Sequence, residues 1–139
     1  MNNLFNIMSK QQLIKLGSPV KAKDIILCQK QLLSNRFPTI PDSFLKILHT
    51  FNAASFNGSH IFGISPENQY LTDIFKANIS HNRNPNILLL GCDEFDYLGY
   101  NQLSKSYQII DKEDAEVLEE YPERELELAL TYILKIIDE

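Results

Sequence analysis

The six residues Gly91-Cys92-Asp93-Glu94-Phe95-Asp96 bring three carboxylates and a thiol together, and each group suggests a chemistry. Carboxylate oxygens at Asp93, Glu94 and Asp96 suit a hard cation such as magnesium or calcium. Spacing argues against that use, because adjacent strand residues point to opposite faces and no calcium-loop pattern follows. Cys92 becomes a nucleophile only if His60 or His81 lies beside it as a base. The plainer expectation is a buried or turn thiol whose neighbouring carboxylates raise its pKa. His49 and Cys28 complete no zinc-type spacing, and no glycine-rich phosphate loop occurs. No metal, cofactor or catalytic residue is therefore expected. The use left for the corner is recognition: Asp93, Glu94 and Asp96 would meet basic groups on a partner, with Tyr97, Tyr100 and Tyr107 as aromatic anchors. Those tyrosines would serve equally well by packing a sheet against helices.

The charge balance points the same way. The chain has 139 residues and a formal charge of −5, which disfavours nucleic acid as partner, since binding phosphate requires a basic face. Acid concentrates in Asp93 to Asp96 and Asp111 to Glu127, whereas Lys10 to Arg36 is mildly basic. Charge of one sign at one end steers partners of the other sign, although Glu119 to Glu127 alone reads most simply as a solvated helix face. A protein partner with a basic surface fits best. No apolar run approaches the length that spans a bilayer, and the N-terminus lacks the pattern of a secretory signal. The expectation is one cytoplasmic domain, with Cys28 and Cys92 as free thiols.

The corner must be positioned by the elements around it. Ile87 to Leu90 is a short apolar run bounded by Gly91 and reads as a buried strand. Asp96 to Asn101 is a second strand, and Gln102 to Ser106 turns the chain into a third, Tyr107 to Asp111. Before this nucleus the pattern predicts a helix around Leu4 to Leu16, stopped by Gly17. A second helix starts at Ser18-Pro19, runs to about Ser34 and buries Ile25, Cys28, Leu32 and Leu33. Arg36 to Pro41 is extended, because each proline excludes the helical region for the residue before it. Pro41 then opens a helix with Phe44, Leu45, Leu48 and Phe51 as its apolar stripe, ending near Asn52. Asn57-Gly58 is a turn followed by a strand from His60 to Ile64. The polar stretch Ser65 to Asn86 holds a helix at Leu71 to Lys76 and a mobile binding loop near His81 to Pro85. Ala115 to Glu120 adds a short strand, and Pro122 starts a last helix with Leu126, Leu130, Ile133, Leu134 and Ile137 facing the core. Helices at both ends around a mostly antiparallel sheet make an α+β layout.

Several of these stretches resemble a known family. Phe37-Pro38-Thr39-Ile40-Pro41-Asp42-Ser43-Phe44-Leu45, the turn Asn57-Gly58, and Leu89-Leu90-Gly91-Cys92-Asp93-Glu94-Phe95-Asp96-Tyr97 followed by Tyr107-Gln108-Ile109-Ile110-Asp111 resemble the Smi/Knr family of the SUKH superfamily. The likeness is greatest to its bacterial YrhA-like branch. It spans roughly the last three quarters of the chain and rests on the order of elements. One departure is Ala53, which follows Asn52 where family members commonly carry an Asn-Gly pair. The resemblance implies a single SUKH-like domain over residues 1–139, with residues 1–17 as a helical N-terminal extension. Bacterial members are mostly immunity proteins that neutralise toxins, and fungal relatives are regulatory interaction proteins. The expected function is accordingly a non-catalytic protein-binding module, an immunity protein covering a basic toxin domain such as a nuclease. The alternatives are a cytosolic regulatory scaffold and, more distantly, a small hydrolase.

Overall fold

A computed structural model of the chain describes residues 14–135. Among these residues, seven strands form one antiparallel meander in sequence order: β1 (Ile14–Leu16), β2 (Ala54–Phe56), β3 (Ser59–Ile61), β4 (Ile87–Cys92), β5 (Asp96–Asn101), β6 (Ser106–Asp111) and β7 (Val117–Pro122). Four helices, α1 (Ala22–Ser34), α2 (Asp42–Thr50), α3 (Ile74–His81) and α4 (Leu126–Leu134), complete an α+β fold. No helix among the described residues is long and apolar enough to cross a membrane.

The β4–β5–β6 nucleus lies where the apolar runs place it. Register puts Leu98 opposite Ile109 and Tyr100 opposite Tyr107 on one face of the sheet. This face packs against α4, which buries Leu126, Leu130, Ile133 and Leu134. The β2–β3 hairpin turns at Asn57 and Gly58 with φ of 49° and 89°, the paired positive angles that this dipeptide favours between two-residue-linked strands. Helix α2 buries Phe44, Ile47 and Leu48, with Phe51 buried just beyond it. Leu45 is half-buried, and Ile47 belongs to the stripe in its place.

The N-terminal half differs from the expected layout. Residues 1–13 lie outside the described part, but Ile14–Leu16 is a strand paired with β2 rather than the end of a helix. The ladder continues past it: the Gly17 amide donates to the Ala53 carbonyl, the Asn52 amide to the Ser18 carbonyl and the Val20 amide to the Leu48 carbonyl, each at 3.0 Å. These tertiary bonds hold Ser18-Pro19 extended, so α1 begins at Ala22 instead of at the serine cap. Helix α1 buries only Cys28 and Leu32; Leu33 is 61% exposed. Helix α3 lies three residues later than the predicted Leu71 to Lys76, because the Asp73 side chain accepts the Lys76 amide and sets the N-cap there. Pro122 closes β7, and a short 3-10 turn (Glu123–Glu125) separates it from α4. Ile137 lies outside the described residues.

Two buried asparagines hold segments that strands do not. The Asn52 amide group donates to the Ile64 carbonyl and its oxygen accepts the Ile64 amide, both at 2.7 Å. A Cβ on Gly63 would fall 2.5 Å from the Asn52 Oδ1, so glycine is what lets the two segments meet. Asn78 does the same for β4. Strand β3 pairs only with Gly91 and Cys92, which leaves the Leu89 peptide without a strand partner on that side. Asn78 on α3 donates to the Leu89 carbonyl and accepts the Leu89 amide, both at 2.9 Å. A helix side chain thus completes a sheet edge that would otherwise carry buried unpaired groups.

Candidate functional site

The acidic corner is a structural turn for two of its three acids. Asp93 is 1% exposed and Asp96 7%. The Asp93 Oδ1 accepts the amides of Phe95 (2.8 Å) and Asp96 (2.7 Å), and its Oδ2 lies 3.1 Å from the Lys135 ammonium at the end of α4. Asp96 stands directly opposite Asp111 on β6. Burial, and then the charges of Asp93 and Asp111, hold its carboxyl above the usual range. Both side chains are buried, so of the three acids expected to steer a partner only Glu94 is exposed. The corner presents only Glu94 and Phe95, the latter 65% exposed.

Two of the three tyrosines are core residues. Tyr107 is fully buried and hydrogen-bonded through its hydroxyl to Ser43, and Tyr100 is 8% exposed and packs edge-on against it with ring centres 5.1 Å apart. Their anchoring role is internal, joining the sheet to α2. Tyr97 alone is half-buried, on the opposite face, with the Lys112 ammonium 5.1 Å from its ring centre.

Register brings His60 opposite Cys92 and Cys92 opposite Tyr97, so a thiol and an imidazole do share one face. Their environment withholds activation. Burial pushes the Cys92 thiol up, with Lys112 opposing and Asp93 adding to the rise, while burial and then Lys112 push His60 down. Both groups are favoured in their neutral forms, the reverse of an imidazolium–thiolate pair. Cys28 and Cys92 are free, burial drives the Cys28 thiol up to about 12, and no cluster of three or more metal-ligating side chains occurs among the described residues.

The acid that is exposed lies chiefly along the β7 edge. Among the described residues, strand β7 pairs with β6 on one side only, and every residue along it is exposed except half-buried Tyr121. Val117 and Leu118 are 45% and 42% exposed, and a bulge at Leu118 bends the strand. Glu120 is partly committed: its Oε2 accepts from Ser106 (2.8 Å) and Gln108 (2.6 Å), bonds that hold its carboxyl below the usual range, Gln108 contributing most. Glu116 and Glu119 are exposed. Glu119 and Glu125 lie close enough to Tyr121 to add to the rise in its pKa that burial begins, and α4 adds Leu128 (54% exposed) and Tyr132 (38%) beside them. Residues 111–127 carry nine acids against two bases. The expected solvated helix face at Glu119 to Glu127 is therefore an edge strand, a 3-10 turn and the start of α4. No family model matches the chain, and no curated protein matches it.

Sequence reasoning found the acidity of this segment but placed the partner contacts at the corner, where two of the three acids are buried. The available signal at Asp93 was an Asp placed before a two-residue reversal, where such side chains commonly bond the next backbone amides. The signal at Glu119 and Glu120 was adjacent acids in a strand-length run between Val117 and Pro122, which suits an edge and no buried strand.

Proposed function

We propose that this chain is a non-catalytic protein-binding module whose partner is basic. Within that class it is an immunity protein of the Smi/Knr kind, and a toxin domain with a phosphate-binding surface, such as a nuclease, is the partner such acidity fits. The observation that carries the reading is the β7 edge: a strand open on one side among the described residues, exposed except at Tyr121, and set in a segment of formal charge −7 when the whole chain carries −5. An open strand offers a ladder of backbone donors and acceptors to an extended segment. Its glutamates, its bulge and Pro122 discourage pairing with apolar strands or with another copy of itself, and leave a cationic strand as the favoured addition.

A regulatory scaffold for endogenous cytosolic proteins is the second reading, favoured by the exposed apolar groups Leu118, Leu128 and Tyr132 among the acids. Capture from the native host separates the two. Full-length chain and an E116K/E119K variant are immobilised, and retained proteins are identified by mass spectrometry. A basic protein that arrests growth when expressed alone, is tolerated with the wild-type chain, and is lost from the variant supports immunity. A harmless endogenous partner supports the scaffold, and equal retention by both baits removes β7 from the interface.

A further inference from the structure

The face of the sheet away from α4 carries a cleft that the acidic edge does not use. Ile87 and Leu89 on β4, Tyr97 on β5 and Ile110 on β6 line its floor. Register places them on one face, Leu89 opposite Gly99 and Tyr97 opposite Ile110. A Cβ on Gly99 would fall 2.8 Å from the Ile87 Cγ2 and 3.1 Å from the Ile110 Cδ1, so the glycine lets both isoleucines close over the strand and makes the floor continuous. One wall is the end of α3 with residues 82–85, and the other is the turn between β6 and β7. The first wall is tied in place: Asn82 donates to the Ile87 carbonyl at 2.6 Å, and the Asn84 amide donates back to the Asn82 Oδ1 at 2.9 Å. The open cleft has a volume of about 410 Å³, within the range of small-molecule sites.

Two cations and two acids stand around this floor, Arg83 and Lys112 against Asp111 and Glu113. Arg83 is exposed and within ion-pair distance of no carboxylate among the described residues, and the Lys112 ammonium is held over the Tyr97 ring. Of the two acids in the lining, Asp111 spends its Oδ1 on the amides of Glu113 (2.8 Å) and Asp114 (3.1 Å), and Glu113 is exposed. His81 completes the rim with its ring centre 6.3 Å from that of Tyr97. With Arg83 at its rim unpaired among the described residues and Lys112 over the Tyr97 ring, the apolar floor suits a ligand with an apolar body and a negative head. The cleft abuts the C-terminal end of α3, where helix carbonyls disfavour anions, so a singly charged head suits it better than a phosphate dianion.

We propose that this cleft is a binding site for a small amphipathic carboxylate, its chain over Ile87, Leu89 and Ile110 and its head between Arg83 and Lys112. The inference stands independently of the β7 reading. Octanoate is the probe, titrated into the full chain by calorimetry and by methyl NMR, with octylammonium and octanol as controls. Saturable binding that shifts the methyls of Ile87, Leu89 and Ile110, about tenfold tighter than either control and weakened about tenfold in an R83Q/K112Q variant of unchanged melting temperature, is expected. Lys21→Gln, remote from the cleft, should leave affinity unaltered. No saturable binding at millimolar octanoate, equal binding of octylammonium or octanol, or undiminished binding by the folded double variant would overturn the assignment.

Discussion

Asp93 and Asp96 close the same turn under opposite demands. Asp93 supplies an acceptor to two amides of the turn, one of them buried, whereas Asp96 faces another carboxylate across the strands. Asp93→Ala leaves those amides unpaired and should cost about 1–3 kcal/mol for each group that water cannot reach. Asp93→Asn keeps one acceptor oxygen and loses mainly the pair to the exposed Lys135, worth about 0–1 kcal/mol, so its denaturation midpoint should lie close to wild type. Asp96 is expected to behave in the contrary sense. Its raised folded pKa means that the native state holds this proton after the unfolded chain has released it, so stability falls as pH rises from the ordinary carboxylate value through the raised one. Below that window the penalty is absent. Asp96→Asn should flatten this part of the stability–pH curve and match or exceed wild type at neutral pH, as read by denaturant titration from about pH 3 to about pH 7. A steeper decline in the variant would mean that the carboxylate is favourably bound in the fold.

At the scale of elements, legibility followed how local the determinants are. Helix α2 was readable because Phe44, Leu48 and Phe51 recur on one face after a proline, and Leu48 is fully buried; Leu48→Ala should cost about 2–5 kcal/mol in a denaturant titration. The β4–β6 meander was readable because apolar runs alternate with turn residues. Strand β1 was not, since three residues of helical spacing become a strand only through pairing of Ile14 with Phe56, more than forty positions away. The start of α1 failed for the same reason, its serine cap being drawn into bonds with the end of α2. Asn78 in mid-helix resembles any surface asparagine until the short β3 leaves the Leu89 peptide exposed beside it. Asn78→Leu preserves size but strips both Leu89 bonds, so it should destabilise by about 1–3 kcal/mol per orphaned group. Hydrogen exchange should show the Leu89 amide losing protection first. Protection equal to wild type would mean that the edge has another partner.

For the molecule as a whole, the decisive asymmetry is that residues 111–127 hold more negative charge than the entire chain, leaving the remainder net positive. Such a dipolar surface orients an approaching cationic protein before contact, an effect that acts on association rate and is screened over roughly 10 Å at ordinary salt. If β7 receives the partner, the association rate should fall steeply with added salt while dissociation changes little. Replacing Glu116 and Glu119 with Gln should lower that rate at low salt and flatten its salt dependence, with circular dichroism and melting unchanged because both side chains point into solvent. Replacing Glu94 alone should do far less, since the corner has one exposed acid where the edge has several. Glu120 is the internal control: its carboxylate braces Ser106 and Gln108, so Glu120→Gln should also lower the melting temperature, separating bracing from steering. Stopped-flow mixing with the captured partner at low and high salt reads all of these. A folded Glu116/Glu119 variant that associates as fast as wild type at low salt would place the interface elsewhere, with the exposed Leu128 and Tyr132 of α4 as the next surface to substitute.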